Sequence, residues 1–138
     1  MLPKGAMTYH HVAIWIDHQE AKLFRIDREN TEILKVEAPQ HHLHRHPKPA
    51  APHHHPADAA HFYHAIVKAL EGAEEVLIVG PATAKLELIK HIHQHDQALV
   101  SKIVGVETVD HPSDKQLIAY ARDYFIAADR RAELGLPR

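Results

Sequence analysis

The side chains best suited to chemistry are imidazoles, and they are bunched. His41, His42, His44, His46, His53, His54 and His55 fall within residues 38–57, together with five prolines, Arg45 and Lys48, and no carboxylate. Downstream, His61 and His64 stand at i, i+3 and His91 and His95 at i, i+4, spacings that put two side chains on one helix face. Neutral imidazole is a ligand for Zn, Ni and Cu, so all eleven histidines admit a metal-binding reading. Their irregular spacing suits dispersed chelation better than one tetrahedral site. The same segment admits an RNA reading. Arg45 and Lys48 can meet phosphates, and the segment's histidines can stack on bases or turn cationic beside a phosphate.

Lys85 is a further phosphate candidate. It closes Gly80-Pro81-Ala82-Thr83-Ala84-Lys85, which joins a strand to a helix N-terminus, where exposed amides hold anions. The run lacks the Gly-x-x-x-x-Gly-Lys-Ser/Thr pattern, which argues against a nucleoside triphosphatase. Its plainer reading is a tight turn with Lys85 solvated in the first helical turn. Asp17 and Asp110 each end a strand, where a two-metal nuclease keeps carboxylates, but such a site needs further acids converging there. Asp17 reads more simply as a hairpin residue. Ser113 is explained by helix capping, and no Ser-His-Asp arrangement can be nominated. Cysteine is absent, which excludes disulfides, thiolate metal sites and cysteine nucleophiles.

The elements that must position these groups follow from periodicity. Residues 11–17 have apolar side chains on both faces, as a central strand covered on two sides requires. Residues 20–27 and 31–37 continue as strands after short polar turns, giving an antiparallel meander. Ile33, Leu34 and Val36 are the apolar positions of the third strand. The segment 38–57 has no helical or strand period; its prolines remove donors and fix φ. A helix then opens at Asp58 as N-cap, with Phe62, Ile66 and Leu70 striped at i, i+4, i+8, and ends at Gly72. Residues 75–79 form a short unbroken apolar run, the mark of a buried parallel strand. A helix over about 83–95 turns Leu86, Ile89 and Ile92 inward. A fifth strand spans 102–109, and Ser113 with Gln116 forms a capping box for the last helix, lined by Leu117, Ala121, Tyr124, Phe125 and Ala128. Trp15 reads as core.

The order βββαβαβα predicts an α/β fold with a mixed five-stranded sheet, order 3-2-1-4-5, and flanking helices: a ribonuclease H-like arrangement with right-handed crossovers. At 138 residues the expectation is one domain over 9–130, with flexible ends at 1–8 and 131–138. Formal net charge is −2 with sixteen histidines counted neutral, which does not mark a general nucleic-acid binder and gives no reason to expect DNA. Histidine titrates near pH ~6.5, so mild acid makes the chain strongly positive, chiefly around 38–57. No apolar run approaches the roughly 20 residues of a membrane span, and no signal peptide is visible, so the cytoplasm is expected. A homo-oligomer is compatible with the sequence.

With the elements in place, the chain resembles the central domain of the class-I release factors of eukaryotes and archaea and of their relative Pelota. It is similar, still more, to short bacterial proteins described as translational machinery proteins. Residues 12–24, Leu77-Ile78-Val79-Gly80-Pro81-Ala82-Thr83-Ala84-Lys85 and 103–110 carry the likeness, in that order, over residues 9–128. Gly80-Pro81-x-x-x-Lys85 is similar to the Gly-Pro-Gly-x-x-Lys of Pelota-like domains, but lacks the second glycine. In release factors the connection between the third strand and the first helix carries a Gly-Gly-Gln tip. Here that connection is the histidine-proline segment, which has no glycine and only Gln40 near its base. The resemblance therefore implies a non-catalytic, translation-associated protein that binds ribosome, tRNA or rRNA, in rescue or hibernation, and needs no cofactor. A histidine-rich protein taking Zn, Ni or Cu is the alternative, and a divergent hydrolase the third.

Overall fold

The computed structural model describes residues 10–27, 29–39 and 56–136, with side chains in the last block from residue 59. The first nine residues and residues 40–55, which hold the seven clustered histidines, Arg45 and Lys48, lie outside the described residues, as do 137–138.

Three strands come first: β1 (His11–Ile16), β2 (Glu20–Ile26) and β3 (Thr31–Glu37). Then follow α1 (Pro56–Ala69), β4 (Glu75–Gly80), α2 (Ala84–His95), the single turn α3 (Gln97–Val100), β5 (Ile103–Thr108) and α4 (Asp114–Glu133). The sheet order is β3-β2-β1-β4-β5, as the sequence predicts. β1 pairs antiparallel with β2 and parallel with β4, β2 pairs antiparallel with β3, and β4 pairs parallel with β5.

Alternation along β1 and β4 builds two cores. Val12, Ile14, Ile16, Val76 and Ile78 face α1 and α2, where Phe62, Ile66, Leu70, Leu88 and Ile92 meet them. Ala13, Trp15, Leu77 and Val79 face α4, through Leu117, Ala121, Phe125 and Ala128. Both faces of β1 are thus covered, which is why its run carries no polar alternation. Two arginines fasten the layers. Arg25 Nη2 donates to the Ala69 carbonyl at the end of α1, at 2.9 Å. Arg122 of α4 reaches the β2–β3 turn, donating to the Asp27 carbonyl at 3.0 Å and to Thr31 Oγ1 at 3.1 Å.

Three expectations are corrected. Leu86 is 55% exposed, and Leu88 is fully buried in its place. The buried set Ala84, Lys85, Leu88 and Ile92 follows i, i+4, i+8, which leaves Leu86 on the opposite side of α2. In β3 only Val36 packs against the core, while Ile33 and Leu34 are exposed, because β3 is an edge strand that the helices cover only in part. Its edge carries charge instead, with Lys35 3.1 Å from Glu20 and Arg25 2.8 Å from Glu32. α1 starts at Pro56, so Asp58 lies inside its first turn; proline's fixed φ and missing N–H suit that opening position. α3 was not anticipated, since four residues are too few to show a helical period.

α4 carries the expected capping box: Ser113 Oγ accepts from Gln116 N, and Gln116 Oε1 accepts from Ser113 N. The helix runs to Glu133, three residues past the expected boundary, and closes in a Schellman motif. Leu136 N donates to Arg131 O at 2.8 Å and Gly135 N to Ala132 O at 3.0 Å, with Gly135 at φ +76°. Among the described residues no helix is long and apolar enough to cross a membrane.

Candidate functional site

β1, β4 and β5 run in one direction, and α1, α2 and α4 all start from the end where those strands stop. β3 also stops there, so the connection 38–55 leaves from this end. Its root is fixed: Ala38 N donates to the Gln19 carbonyl in the β1–β2 turn at 2.9 Å. That turn is held by Asp17, whose Oδ1 accepts from Gln19 N at 2.8 Å and Glu20 N at 2.9 Å. Asp17 is a hairpin residue, as its plainer reading required.

Next to this root, one carboxylate links three elements. Glu87 of α2 accepts the Tyr63 hydroxyl of α1 on Oε1 at 2.7 Å, and its Oε2 lies 3.1 Å from His18 Nε2 in the β1–β2 turn. Burial, and then the hydrogen bond to Glu87, push the Tyr63 hydroxyl far above the ordinary tyrosine range. Tyr63 is therefore a fixed donor, unsuited to act as a base. Glu87 was not singled out in the sequence, because nothing local marks a helical glutamate as the partner of residues 24 and 69 positions away.

Lys85 departs from its expected place. It is 7% exposed, and Nζ donates to the Ala82 carbonyl in the turn before α2. Its ammonium therefore serves the turn and is not solvated. Gly80, just before this turn, is required sterically: a Cβ there would stand 2.2 Å from the Ile16 carbonyl oxygen. The strand ends of β1 and β4 close against each other here.

On the α4 side of the same end, Trp15 is core, and its Nε1 donates to the Asp110 carbonyl at 2.8 Å. Asp110 Oδ1 is paired with His111 Nδ1 at 2.8 Å and is 91% exposed in its side chain. Trp15, Lys22, His111 and Asp114 line a depression of about 160 Å³. That is well under the roughly 300 Å³ of an ordinary small-ligand pocket.

The helical histidines are placed as follows. His61 and His64 are both exposed on α1. His91 and His95 share a face of α2 with ring centroids 4.6 Å apart, and His91 lies 5.8 Å from the Tyr63 ring. His91 Nε2 is buried with no hydrogen-bond partner among the described residues. Burial, then the neighbouring His95 and His64, depress its pKa, so it stays neutral where exposed histidines begin to charge. These four do not form a three-ligand centre. Among the described residues, the group of three that does converge is His11, Glu75 and Asp129, at the opposite end of the sheet.

No family model matches the chain, and no curated protein matches it, so the likeness to short bacterial proteins finds no support there. Solved structures do match. Archaeoglobus fulgidus Pelota superposes with a TM-score of 0.62 at 13% identity, over 94% of this chain and 37% of that one. Thermoplasma acidophilum Pelota gives 0.54 at 19% identity, over 85% and 31%. Yeast Dom34, described as a translation termination-like factor involved in RNA quality control and interacting with Hbs1, gives 0.50 at 12% identity, over 91% and 40%. The fold is that of one part of Pelota. This chain spans less than half the length of each of these neighbours.

Proposed function

We propose that this protein is a cytoplasmic, non-catalytic, translation-associated module that contacts the ribosome, tRNA or rRNA through the segment joining β3 to α1. The observation that carries the reading is positional. On a scaffold shared with part of Pelota, the basic, carboxylate-free segment replaces the connection between third strand and first helix, and it leaves from a root held by Gln19 and Ala38. Catalysis by the release-factor route has no residue to perform it, since the segment contains no Gly-Gly-Gln. Arg45 and Lys48 supply fixed charge for phosphates, and the histidines supply stacking surface and charge that grows in mild acid. Lys85 donates to a turn carbonyl, and the proposed contact does not depend on it.

The test is sedimentation of untagged protein with ribosomes from lysate. Co-migration that weakens with salt, strengthens between about pH 7.5 and 6, and disappears on deletion of residues 40–55 supports the reading. Co-migration unchanged by that deletion overturns it. The density of histidine in the segment favours a second reading, a metal-binding protein for Zn, Ni or Cu. Stoichiometric metal in untagged protein, with no ribosome association, would select it.

A further inference from the structure

The end of the sheet opposite the segment is built from a second set of histidines. His10-His11 opens β1 and Glu74-Glu75 opens β4, and the parallel register sets His11 beside Glu75. Period-2 alternation puts both on the face covered by α4, as the first members of the columns His11-Ala13-Trp15 and Glu75-Leu77-Val79. Each column is apolar except at this position. The main chain here is locked, since Glu74 N and Glu75 N both donate to the His10 carbonyl, at 3.0 and 2.8 Å.

Asp129 reaches the same point from the last turns of α4. His11 Nε2 lies 3.2 Å from Glu75 Oε1 and 3.5 Å from Asp129 Oδ2, and one ligand atom from each residue lies within 4.8 Å of the others. Phe125, one turn before Asp129, rests its ring 4.7 Å from the His11 imidazole and limits its rotation. The Glu75 side chain is only 13% exposed and that of Asp129 is 45% exposed, so the cluster is sheltered at Glu75 and open to solvent at Asp129.

We propose that His11, Glu75 and Asp129 form a three-ligand site for a first-row divalent cation, separate from the histidine-rich segment. Bonds of about 2.0–2.2 Å from a shared ion place neighbouring ligand atoms roughly 3–3.5 Å apart, which the two ligand separations at His11 already approach. One imidazole and two carboxylates suit Zn²⁺ or Mn²⁺, whose double charge balances the two carboxylates. Water completes the coordination on the open side. The ion would join the starts of β1 and β4 to the end of α4, capping the apolar core that the same three elements share.

The probe is Mn²⁺ alone, added below stoichiometry to the full, untagged, ¹⁵N-labelled chain, with amide line broadening read by NMR. Mn²⁺ prefers carboxylate-containing sites, so the histidine segment competes weakly. The expected result is early broadening at His11, Glu75 and residues 125–129. Asp129→Asn and, separately, Glu75→Gln should each raise the Mn²⁺ needed by at least the roughly 10- to 100-fold that loss of an outer-shell partner costs. The same spectra report that each variant is folded. Broadening confined to residues 41–55, spread evenly over exposed acids, or unchanged by both variants overturns the site and leaves His11 as an ion-pair partner of two carboxylates.

Discussion

The connection between β3 and α1 holds seven histidines and not a single carboxylate; at the end of the sheet where β1 starts, His10 and His11 lie 2.9 and 3.2 Å from Glu74 and Glu75. The same side chain is thus set up for two different partners. An imidazole beside a carboxylate has its anion supplied by the fold. An imidazole among prolines, Arg45 and Lys48 has no internal anion within its own segment, so any anion it meets there must come from elsewhere in the chain or from a partner. On the proposed reading the segment makes outward contact, while the cluster at the start of β1 fastens the fold internally.

The largest expected effect tests the outward end. Replacing His41, His42, His44, His46, His53, His54 and His55 with serine, leaving Arg45 and Lys48, should abolish the gain in ribosome binding on acidification. Some salt-dependent binding at pH 7.5 should remain. For single-stranded RNA the log–log salt slope falls by about 0.7 per phosphate contact, so the parent slope should steepen between pH 7.5 and 6 and the variant slope should not. Gradient sedimentation across both salt and pH reads this directly. Equal slopes in the two proteins would erase the contrast between the ends.

Next in size is the junction of the β1 and β4 strand ends. Gly80→Ala drives a Cβ to within 2.2 Å of the Ile16 carbonyl oxygen, a backbone atom that cannot swing aside. Overpacking of this kind costs up to about 3 kcal/mol, to be read as a lowered denaturant midpoint at unchanged slope. If the scaffold is what aims the segment, this variant should also lose ribosome binding in proportion to its loss of folded protein. A well-folded Gly80→Ala would mean that the two strand ends are free to part.

What could be foreseen in the sequence divides along the same physical lines. β1 and β4 were legible because both faces are apolar, which leaves no competing period. The capping box at Ser113 was legible because its partner is three residues away. Leu86 was misplaced because α2 offers leucine at both 86 and 88, and only the starting point of the helix at Ala84 decides which faces the sheet. Lys85 defies its expected solvation because a lysine's carbonyl partner in the preceding turn leaves no mark in composition. His11, Glu75 and Asp129 were passed over, although a signal existed: the apolar columns of two adjacent parallel strands each open on a polar residue. Seeing it requires the register, and Asp129 joins only when α4 is laid across the sheet.

A smaller effect separates a third use of histidine from both ends. His91 has its pKa lowered in the fold, chiefly by burial, so the unfolded chain takes up that proton at higher pH than the folded one. Its contribution to stability is present above the unfolded value of about 6.5 and is lost as pH falls through the lowered folded value. His91→Gln removes the titration while keeping a polar side chain. Between about pH 7.5 and 5.5 its denaturant midpoint should fall less steeply than the parent's. Parallel curves would show that burial of His91 is relieved by another route.

The smallest effect sharpens the fastening end itself. His10–Glu74 and His11–Glu75 are neighbouring pairs on the same two chain segments, but the first is 60% and 63% exposed and the second 30% and 13%. Water screens the outer pair, so His10→Ala should change stability by less than about 0.5 kcal/mol. Glu75→Gln removes a carboxylate from a partly buried cluster that also contains Asp129, and should cost more than His10→Ala in the same denaturation experiment. Equal costs would mean that register alone, and not the convergence of a third side chain from α4, decides what a histidine–glutamate pair is worth at this edge.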